Sequence, residues 1–227
     1  MAVKVMRPGS DGKFIGYDSW FFKGLEYAVS KGAIVSNHSY GGGFLSTSQK
    51  TKYNNFANNN PNHLTVYAAG NSNILVTSTS YACGMDMPTQ ICVAASTNSD
   101  SKASFSNYGK DLVDVYAPGQ QIASTTPNNG YQYKSGTSMA SPQVAGLAAL
   151  IRSMKTMTAL EAKNFILDNV QVKSQYANDV GTSGLIDAFA SVNAVGGGGS
   201  GGNFFFFIKV VSKQKFISTC FIFMNRV

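Results

Sequence analysis

Histidine and long apolar runs are scarce in this chain of 227 residues, and each shortage narrows what the protein can be. Only two histidines are present, His38 and His63, so the side chain that most often serves as a general base has few candidates. In the C-terminal tail the longest uninterrupted apolar run covers residues 204–208, far short of the roughly 18–20 residues that span a bilayer. A membrane anchor is therefore not expected.

Cysteine is also rare, and its odd number argues against a complete disulfide framework. The three cysteines are Cys83, Cys92 and Cys220. The first two are close enough in sequence to bridge a loop, provided that the compartment is oxidising. The alternative is a pair of buried or half-buried thiols, and the sequence leaves both open.

Acidic residues are absent after residue 202, and this absence accounts for much of the formal net charge of +7. Four basic residues lie in that stretch: Lys209, Lys213, Lys215 and Arg226. The remainder of the chain has 14 basic and 11 acidic residues, or +3. No basic stripe precedes the tail, so a nucleic-acid partner is not expected.

Apolar periodicity and turn residues predict that strands alternate with helices along residues 1–195. The predicted strands cover residues 2–6, 33–36, 64–69, 91–95, 112–116 and 131–134. The predicted helices cover residues 19–31, 46–59, 143–153, 158–169 and 184–195, and a capping box at Thr158 and Glu161 opens the fourth. Such alternation indicates βαβ units, and therefore an α/β fold with a mostly parallel sheet flanked by helices.

The composition changes after residue 195. Residues 196–202 form a Gly/Ser linker, and residues 203–227 form a Phe-rich tail that we do not interpret as a domain. Because the tail is apolar and outside the predicted core, self-association through it is an alternative role. The predicted organisation is thus one domain over residues 1–195, a linker and a tail.

One motif carries the chemistry: GTSMASP at residues 136–142 places Ser138 between a glycine turn and a predicted buried helix. A serine hydroxyl becomes a nucleophile when a turn exposes it and a base accepts its proton. Taken alone, such a serine is commonly a helix N-cap. An α/β-hydrolase elbow would need glycine at Ala140 and a histidine further along the chain, and both are missing.

This motif, followed by VAG at residues 144–146, resembles the nucleophile segment of the subtilisin-like serine proteases. Gln143 departs from the pattern, because the family usually has histidine there. Three other segments agree in order and spacing and two loops also match the family, so the resemblance covers about residues 2–195. They are AVKV at 2–5 (a strand beside the cleft), SYGG at 39–42 (peptide binding), AAGN at 68–71 (oxyanion hole), and the loops SFSNYG at 104–109 and APG at 117–119.

The resemblance implies a serine endopeptidase in which Ser138 attacks a peptide carbonyl. The N–H of Ser138 and the side-chain amide of Asn71 would stabilise the oxyanion. The implied partner is a peptide or protein substrate, and the implied location is secreted or in the secretory pathway, although residues 1–8 do not read as a signal peptide. Calcium often stabilises this family, but no ligands are assigned. The implied substrate-binding residues are Ser39, Tyr40, Gly41, Ala68, Ala69 and Gly70.

The triad acid and base of that family have no counterpart in this chain. The family order is Asp, His, Ser, with the Asp in an Asp-Ser/Thr-Gly turn and the His in a His-Gly-Thr-His segment, and neither motif occurs. Both would precede Ala2, so we interpret the chain as a fragment that lacks an N-terminal portion. Asp11 is predicted to be a solvated turn residue, His38 a core or cleft-wall residue, and His63 a surface loop residue.

Two expectations follow from this deficit. A catalytically dead homologue that binds peptides by strand addition is the alternative function. In the family fold, the strand that bears the Asp lies between the strands that match residues 2–6 and 33–36. Its absence would leave backbone groups unpaired, so we expect the chain to fold poorly alone or to close the gap by rearrangement.

Overall fold

A computed structural model describes residues 1–10, 14–126 and 128–196, together with the backbone of residues 222–224. Asp11, the linker from residue 197 onwards and most of the tail lie outside this part of the chain. The elements in chain order are β1 (Arg7–Pro8), β2 (Phe14–Ile15), α1 (Asp18–Ser30), β3 (Ala33–His38), α2 (Thr47–Asn59), β4 (Leu64–Ala68), β5 (Gln90–Ser96), β6 (Val115–Pro118), β7 (Ile122–Thr126), β8 (Gly130–Lys134), α3 (Thr137–Met154), α4 (Ala159–Asp168), β9 (Val170–Val172), β10 (Gly184–Ile186), α5 (Ala188–Val195) and β11 (Ile222–Met224), with short 3-10 turns at Cys83–Met85 and Ser174–Tyr176.

The central sheet has the strand order β11-β3-β4-β5-β6-β10-β9. Strands β3 to β6 and β10 are parallel, and β9 and β11 pair antiparallel at the two edges. Every residue of β4 and β5 is buried, as expected for parallel strands that are covered on both faces. The predicted α/β fold with a mostly parallel sheet is therefore confirmed.

Helices cover the two faces of the sheet, and the side chains of the strands alternate between them. Val66 of β4 packs in the cluster formed with α3, α4 and α5. Tyr67, the next residue, packs in the cluster formed with α1 and α2. This period of two follows from the pleat, and it gives the domain two apolar cores that share one sheet.

Most predicted helices are confirmed, with one informative difference in length. Capping boxes open α2 at Ser46 and α4 at Thr158, and α1 ends just before Gly32, whose φ is +81°. Helix α3 starts at Thr137 rather than residue 143, so it contains Pro142. Ser138 therefore lies in the first turn of this helix.

Two predictions of secondary structure were wrong, and one hairpin strand was not predicted. Residues 3–6 form no strand, although Val5 is buried against α1, because no described neighbouring strand pairs with them. Residues 184–186 are strand β10 and not helix, since they pair parallel to β6, and Asp187 then caps α5. The hairpin partner of the predicted strand at 131–134, β7, was missed.

The outer edge of β3 is occupied by a segment of the tail. Strand β11 pairs antiparallel to β3, with Ile222 opposite Ser36 and Phe223 opposite Val35. The structure thus has the rearrangement that was one of the two expectations for this edge. Whether the chain folds alone stays a prediction.

Cys83 and Cys92 form a disulfide, with their Cα atoms 5.6 Å apart. The bond joins the 3-10 turn before β5 to β5 itself, and both residues are buried. Of the two alternatives that the sequence left open, the structure has the bridge. No helix within the described residues has the length and apolar character needed to cross a bilayer.

Candidate active site

One cleft of about 650 Å³ contains all eight residues that the sequence singled out. It lies where β3 and β4 end and α3 begins, the edge at which α/β sheets usually bind ligands. A larger groove of about 830 Å³ between α1 and α2 contains none of them. The eight residues are Ser39, Tyr40, Gly41, Ala68, Ala69, Gly70, Asn71 and Ser138.

Ser138 and Ser39 hold each other by two hydrogen bonds. The hydroxyl of Ser138 donates to the backbone oxygen of Ser39 at 3.2 Å, and the hydroxyl of Ser39 donates to the backbone oxygen of Ser138 at 3.0 Å. Asn37 in turn donates its side-chain amide to the Ser39 hydroxyl at 2.8 Å. The first turn of α3 is therefore fixed to the end of β3.

Asn71 is oriented by Thr137, the residue before Ser138. The backbone N–H and the hydroxyl of Thr137 both donate to Oδ1 of Asn71, at 2.8 and 3.0 Å. Because a backbone N–H can only donate, the atom of the amide that faces Thr137 must be the oxygen, which leaves Nδ2 as a donor for other groups. Nδ2 donates to none of the described residues, and Asn71 is exposed, so the site presents a free amide donor.

The turn that carries Asn71 is supported from below by Asn107. Its Nδ2 donates to the backbone oxygen of Ala69 at 2.9 Å, while its Oδ1 accepts from the backbone N–H groups of Ser72 and Ile74. Gly70 has φ +107°, and a Cβ there would come within 2.4 Å of Nδ2 of Asn107. The packing thus explains both the glycine and the SFSNYG segment, whose role was not predicted.

The turn before Ser138 is anchored on the end of β6. The N–H of Gly136 donates to the oxygen of Gly119 at 2.8 Å, and a Cβ on Gly119 would lie 2.5 Å from the Cβ of Ala95. Gln143 donates to the oxygen of Pro118 at 2.7 Å. The residue that departs from the family pattern therefore still ties α3 to the APG loop.

Both histidines are buried, and each uses both ring nitrogens. His38 bonds to Ser36 and Tyr40, and His63 bonds to Ser36 and the backbone oxygen of Ala33. His38 was expected in the core or cleft wall, and it lies there. His63 was predicted to be a surface residue, which is wrong, because the loop turns its ring under β3, a contact 30 residues away in sequence.

Burial keeps both imidazoles neutral. Desolvation, reinforced by the nearby His63, lowers the pKa of His38 to about 3. Desolvation also lowers the pKa of His63 to about 4, where the bond to Ala33 acts in the opposite sense and Arg152 acts in the same sense. With every nitrogen engaged inside the fold, neither ring is placed to take a proton from Ser138.

Charged groups are sparse around the cleft. Asp18 pairs with Lys52 and accepts from Tyr81. Within the described ranges no histidine or carboxylate bonds to Ser138, whose hydroxyl donates to Ser39 alone. Over the same residues no three His, Cys, Asp or Glu side chains converge as a metal site.

The sequence matches the profile of the Subtilase family over residues 1–191. The chain therefore belongs to the subtilisin-like serine peptidase family.

Its relatives include bacterial and fungal members of that family. It is 40% identical over 152 residues to subtilisin amylosacchariticus of Bacillus subtilis subsp. amylosacchariticus. This match covers 67% of this chain and 38% of the relative. It is 46% identical over 142 residues to subtilisin-like protease 7 of Arthroderma gypseum, covering 60% of this chain and 34% of the relative. The matches thus span little more than a third of these relatives.

Solved structures show the same fold. The prenylagaramide maturation protease PagA has a TM-score of 0.70 at 24% identity, covering 84% of this chain and 72% of its own. A protease from Pseudoalteromonas arctica has a TM-score of 0.68 at 29% identity, covering 81% of this chain and 60% of its own. The similarity therefore extends across most of the described domain.

Proposed function

We propose that this chain is part of a subtilisin-like serine endopeptidase, with Ser138 as nucleophile and Asn71 as oxyanion donor. The observation that carries the proposal is the pair of bonds from Thr137 to Oδ1 of Asn71. Since Thr137 and Ser138 are adjacent, these bonds hold the amide donor beside the nucleophile at the floor of one cleft. An oxyanion hole needs such preorganisation.

The reaction would be acyl transfer followed by hydrolysis. Oγ of Ser138 attacks the peptide carbonyl, the carbonyl oxygen gains charge, and Nδ2 of Asn71 together with the N–H of Ser138 at the start of α3 stabilises it. The C–N bond then breaks as the amine takes a proton. An extended peptide would lie against Ser39–Gly41 and Ala68–Gly70, which line the same cleft.

The proton acceptor would come from outside the described residues. Ser138 now donates to a carbonyl oxygen, which cannot remove the proton, and both imidazoles are engaged elsewhere. In subtilisins without their triad, a rate about 10³–10⁴ above that in water remains from binding and the oxyanion hole. We therefore expect this chain alone to be inactive or nearly so.

The substrate class and location follow the same proposal. The substrate is a peptide or protein, and the Cys83–Cys92 bridge favours an oxidising compartment such as the secretory pathway. The resemblance allows calcium but assigns no ligands to it, and within the described residues no three acidic, His or Cys side chains form a cluster. No step of the proposed reaction uses it.

A fluorophosphonate probe tests the nucleophile directly. The folded chain of residues 1–227 should be labelled slowly at Ser138, and Ser138→Ala should abolish the label. Ser135→Ala, a change in the preceding loop, serves as the control and should leave labelling intact. A folded chain that stays unlabelled at long times would contradict the proposed nucleophile.

A peptide-binding module without catalysis is the second candidate. It is favoured by the engagement of every imidazole nitrogen, which leaves Ser138 with no base in the described chain. The coding sequence upstream of residue 1 separates the two functions. Asp-Ser/Thr-Gly and His-Gly-Thr-His segments encoded there would support the enzyme, and their absence would support the binding module.

A further inference from the structure

We propose that His38 is a positioning residue for the cleft wall, because it connects Tyr40 to a buried series of hydrogen-bonded side chains that fixes the Tyr40 hydroxyl. The series runs from Tyr40 through His38 and Ser36 to His63. This inference rests on the proposed function in one respect, the assignment of peptide binding to the cleft. The series of hydrogen bonds itself is shown by geometry alone.

The contacts are short and continuous. The hydroxyl of Tyr40 lies 2.5 Å from Nδ1 of His38, and Nε2 of His38 lies 2.7 Å from Oγ of Ser36. The same Oγ lies 2.8 Å from Nε2 of His63, and Nδ1 of His63 lies 2.7 Å from the backbone oxygen of Ala33. Four side chains thus link the cleft to the first residue of β3.

The end of this chain determines the direction of every bond. A backbone oxygen can only accept, so His63 carries its proton on Nδ1, and its Nε2 must accept from the hydroxyl of Ser36. Since Ser36 has a single proton, Nε2 of His38 must be the donor to it. Nδ1 of His38 then accepts from Tyr40, and the two histidines are opposite tautomers.

Aromatic packing holds the same residues. The ring of Tyr40 stacks on Phe21 with centroids 4.0 Å apart, and His38 stacks on Tyr67 at 4.4 Å. Tyr40 is 7% exposed and lines the cleft beside Ser39 and Gly41. Anchoring its hydroxyl therefore also restrains the backbone on which a peptide would lie.

The groups around these hydrogen-bonded side chains favour the neutral form of both imidazole rings. His38 faces Tyr40, Tyr67 and His63, and none of these carries a negative charge at neutral pH. The guanidinium of Arg152 lies near His63 and donates to the oxygens of Ile34 and Asn62. No described carboxylate bonds to either ring, so an added proton would have no partner.

Nitrogen-15 NMR of the full chain labelled at histidine tests the tautomers, and only two imidazoles contribute. We expect an Nε2–H tautomer for His38 and an Nδ1–H tautomer for His63, both unchanged from pH 7.5 to 5.5. His38→Gln assigns the pair. Identical tautomers, or a titration midpoint near the ordinary value of about 6.5, would overturn the inference.

Tyr40→Phe tests the positioning role, with Tyr116→Phe as the matched control. Both tyrosines are buried, stacked on a ring and bonded through the hydroxyl, but Tyr116 bonds to Asp179 across the domain. Tyr40→Phe should shift the Nδ1 resonance of His38 and weaken binding of fluorescein-labelled casein to the Ser138→Ala chain about 10-fold, the effect of one hydrogen bond. Tyr116→Phe should do neither.

A double variant separates this inference from the proposed function. His38→Leu combined with Tyr40→Phe should weaken casein binding about 10-fold, as each change does alone, because residues in one network are not additive. A loss of about 100-fold, or full binding by Tyr40→Phe, would refute the positioning role. If the tautomers are as expected but no variant binds casein, the proposed function fails while the chain of bonds remains.

Discussion

Pro142 leaves the backbone oxygen of Ser138 without its helical donor, and the hydroxyl of Ser39 takes that place at 3.0 Å. A proline inside a helix has no N–H for the carbonyl four residues earlier. That carbonyl belongs to the proposed nucleophile. This carbonyl oxygen, which has no donor within the helix, is thus the point at which α3 bonds to the end of β3. The hydroxyl of Ser138 adds a second hydrogen bond to the same residue, Ser39.

Ser39→Ala should therefore lower the free energy of unfolding by about 1–3 kcal/mol, because it removes the hydrogen bonds that the Ser39 hydroxyl makes to α3. Its partners there are the oxygen of Ser138 and the hydroxyl of the buried Ser141. Urea unfolding followed by circular dichroism measures the change. Ser153→Ala, which removes an exposed bond to Leu150, is the control. Equal stability of the two variants would show that these hydrogen bonds contribute nothing.

Asn71→Ala and Asn71→Asp should separate the two roles of this side chain. Both remove the amide donor, so both should slow fluorophosphonate labelling of Ser138, by about the 10²–10³ measured for such a donor in subtilisin. Asn71→Asp keeps an oxygen for the two donors of Thr137 and should stay as stable as the wild type. Labelling at the wild-type rate in both variants would remove Asn71 from the oxyanion site.

As the pH falls, this protein should lose stability at a higher pH than protonation of its carboxylates alone would cause. The pKa values of His38 and His63 are lowered to about 3 and about 4. At pH values between these and about 6.5, the two histidines therefore bind protons only in the unfolded chain. Stability is complete above pH 6.5 and falls as the pH drops. Two such histidines remove about 4 kcal/mol by pH 5, at about 1.4 kcal/mol per proton and pH unit.

Urea unfolding at pH 8, 6 and 5 measures this loss. The control is the double variant His38→Gln and His63→Gln, in which the decline between pH 6.5 and 5 should largely disappear. A wild-type stability that stays level over that interval would show that the rings titrate normally in the folded state.

The Cys83–Cys92 bridge predicts a definite thiol count. Unfolded without reductant, the chain should show one reactive thiol, and after reduction it should show three, the number of cysteines present. Loss of the bridge should lower stability by about 2–3 kcal/mol, since the closed loop is short. Cys220→Ser is the control and should reduce each count by one. Three thiols before reduction would contradict the bridge.

Removing residues 203–227 should expose the outer edge of β3. Backbone groups that β11 pairs in the full chain would then be available to another molecule. We expect concentration-dependent oligomers by light scattering and a lower melting temperature. If the tail instead mediates self-association, the truncated chain will be monomeric and the full chain will not.

The motifs predicted the site better than periodicity predicted the strands. The segments around Ser39, Gly70 and Ser138 were found because they resemble short motifs of the subtilisin-like family. The α/β alternation was visible in the apolar runs. The eight residues that the resemblance implied line one cleft.

The remaining features depend on contacts between distant residues. Nothing in the sequence near His63 indicates that its ring bonds to Ala33, and nothing near Asn107 indicates that it supports Gly70. The strand predicted at residues 2–6 failed because pairing requires a neighbour, whatever the local propensity. Strand β10 was missed for the converse reason, since β6 supplies its partner.

Strand β11 also constrains when the sheet can be completed during synthesis. Its residues follow β3 by about 180 positions, which at about 5–20 residues per second corresponds to about 10–40 s on the ribosome. Among the residues that the structure describes, β3 therefore gains its outer partner only after all the other strands of the sheet have been synthesised.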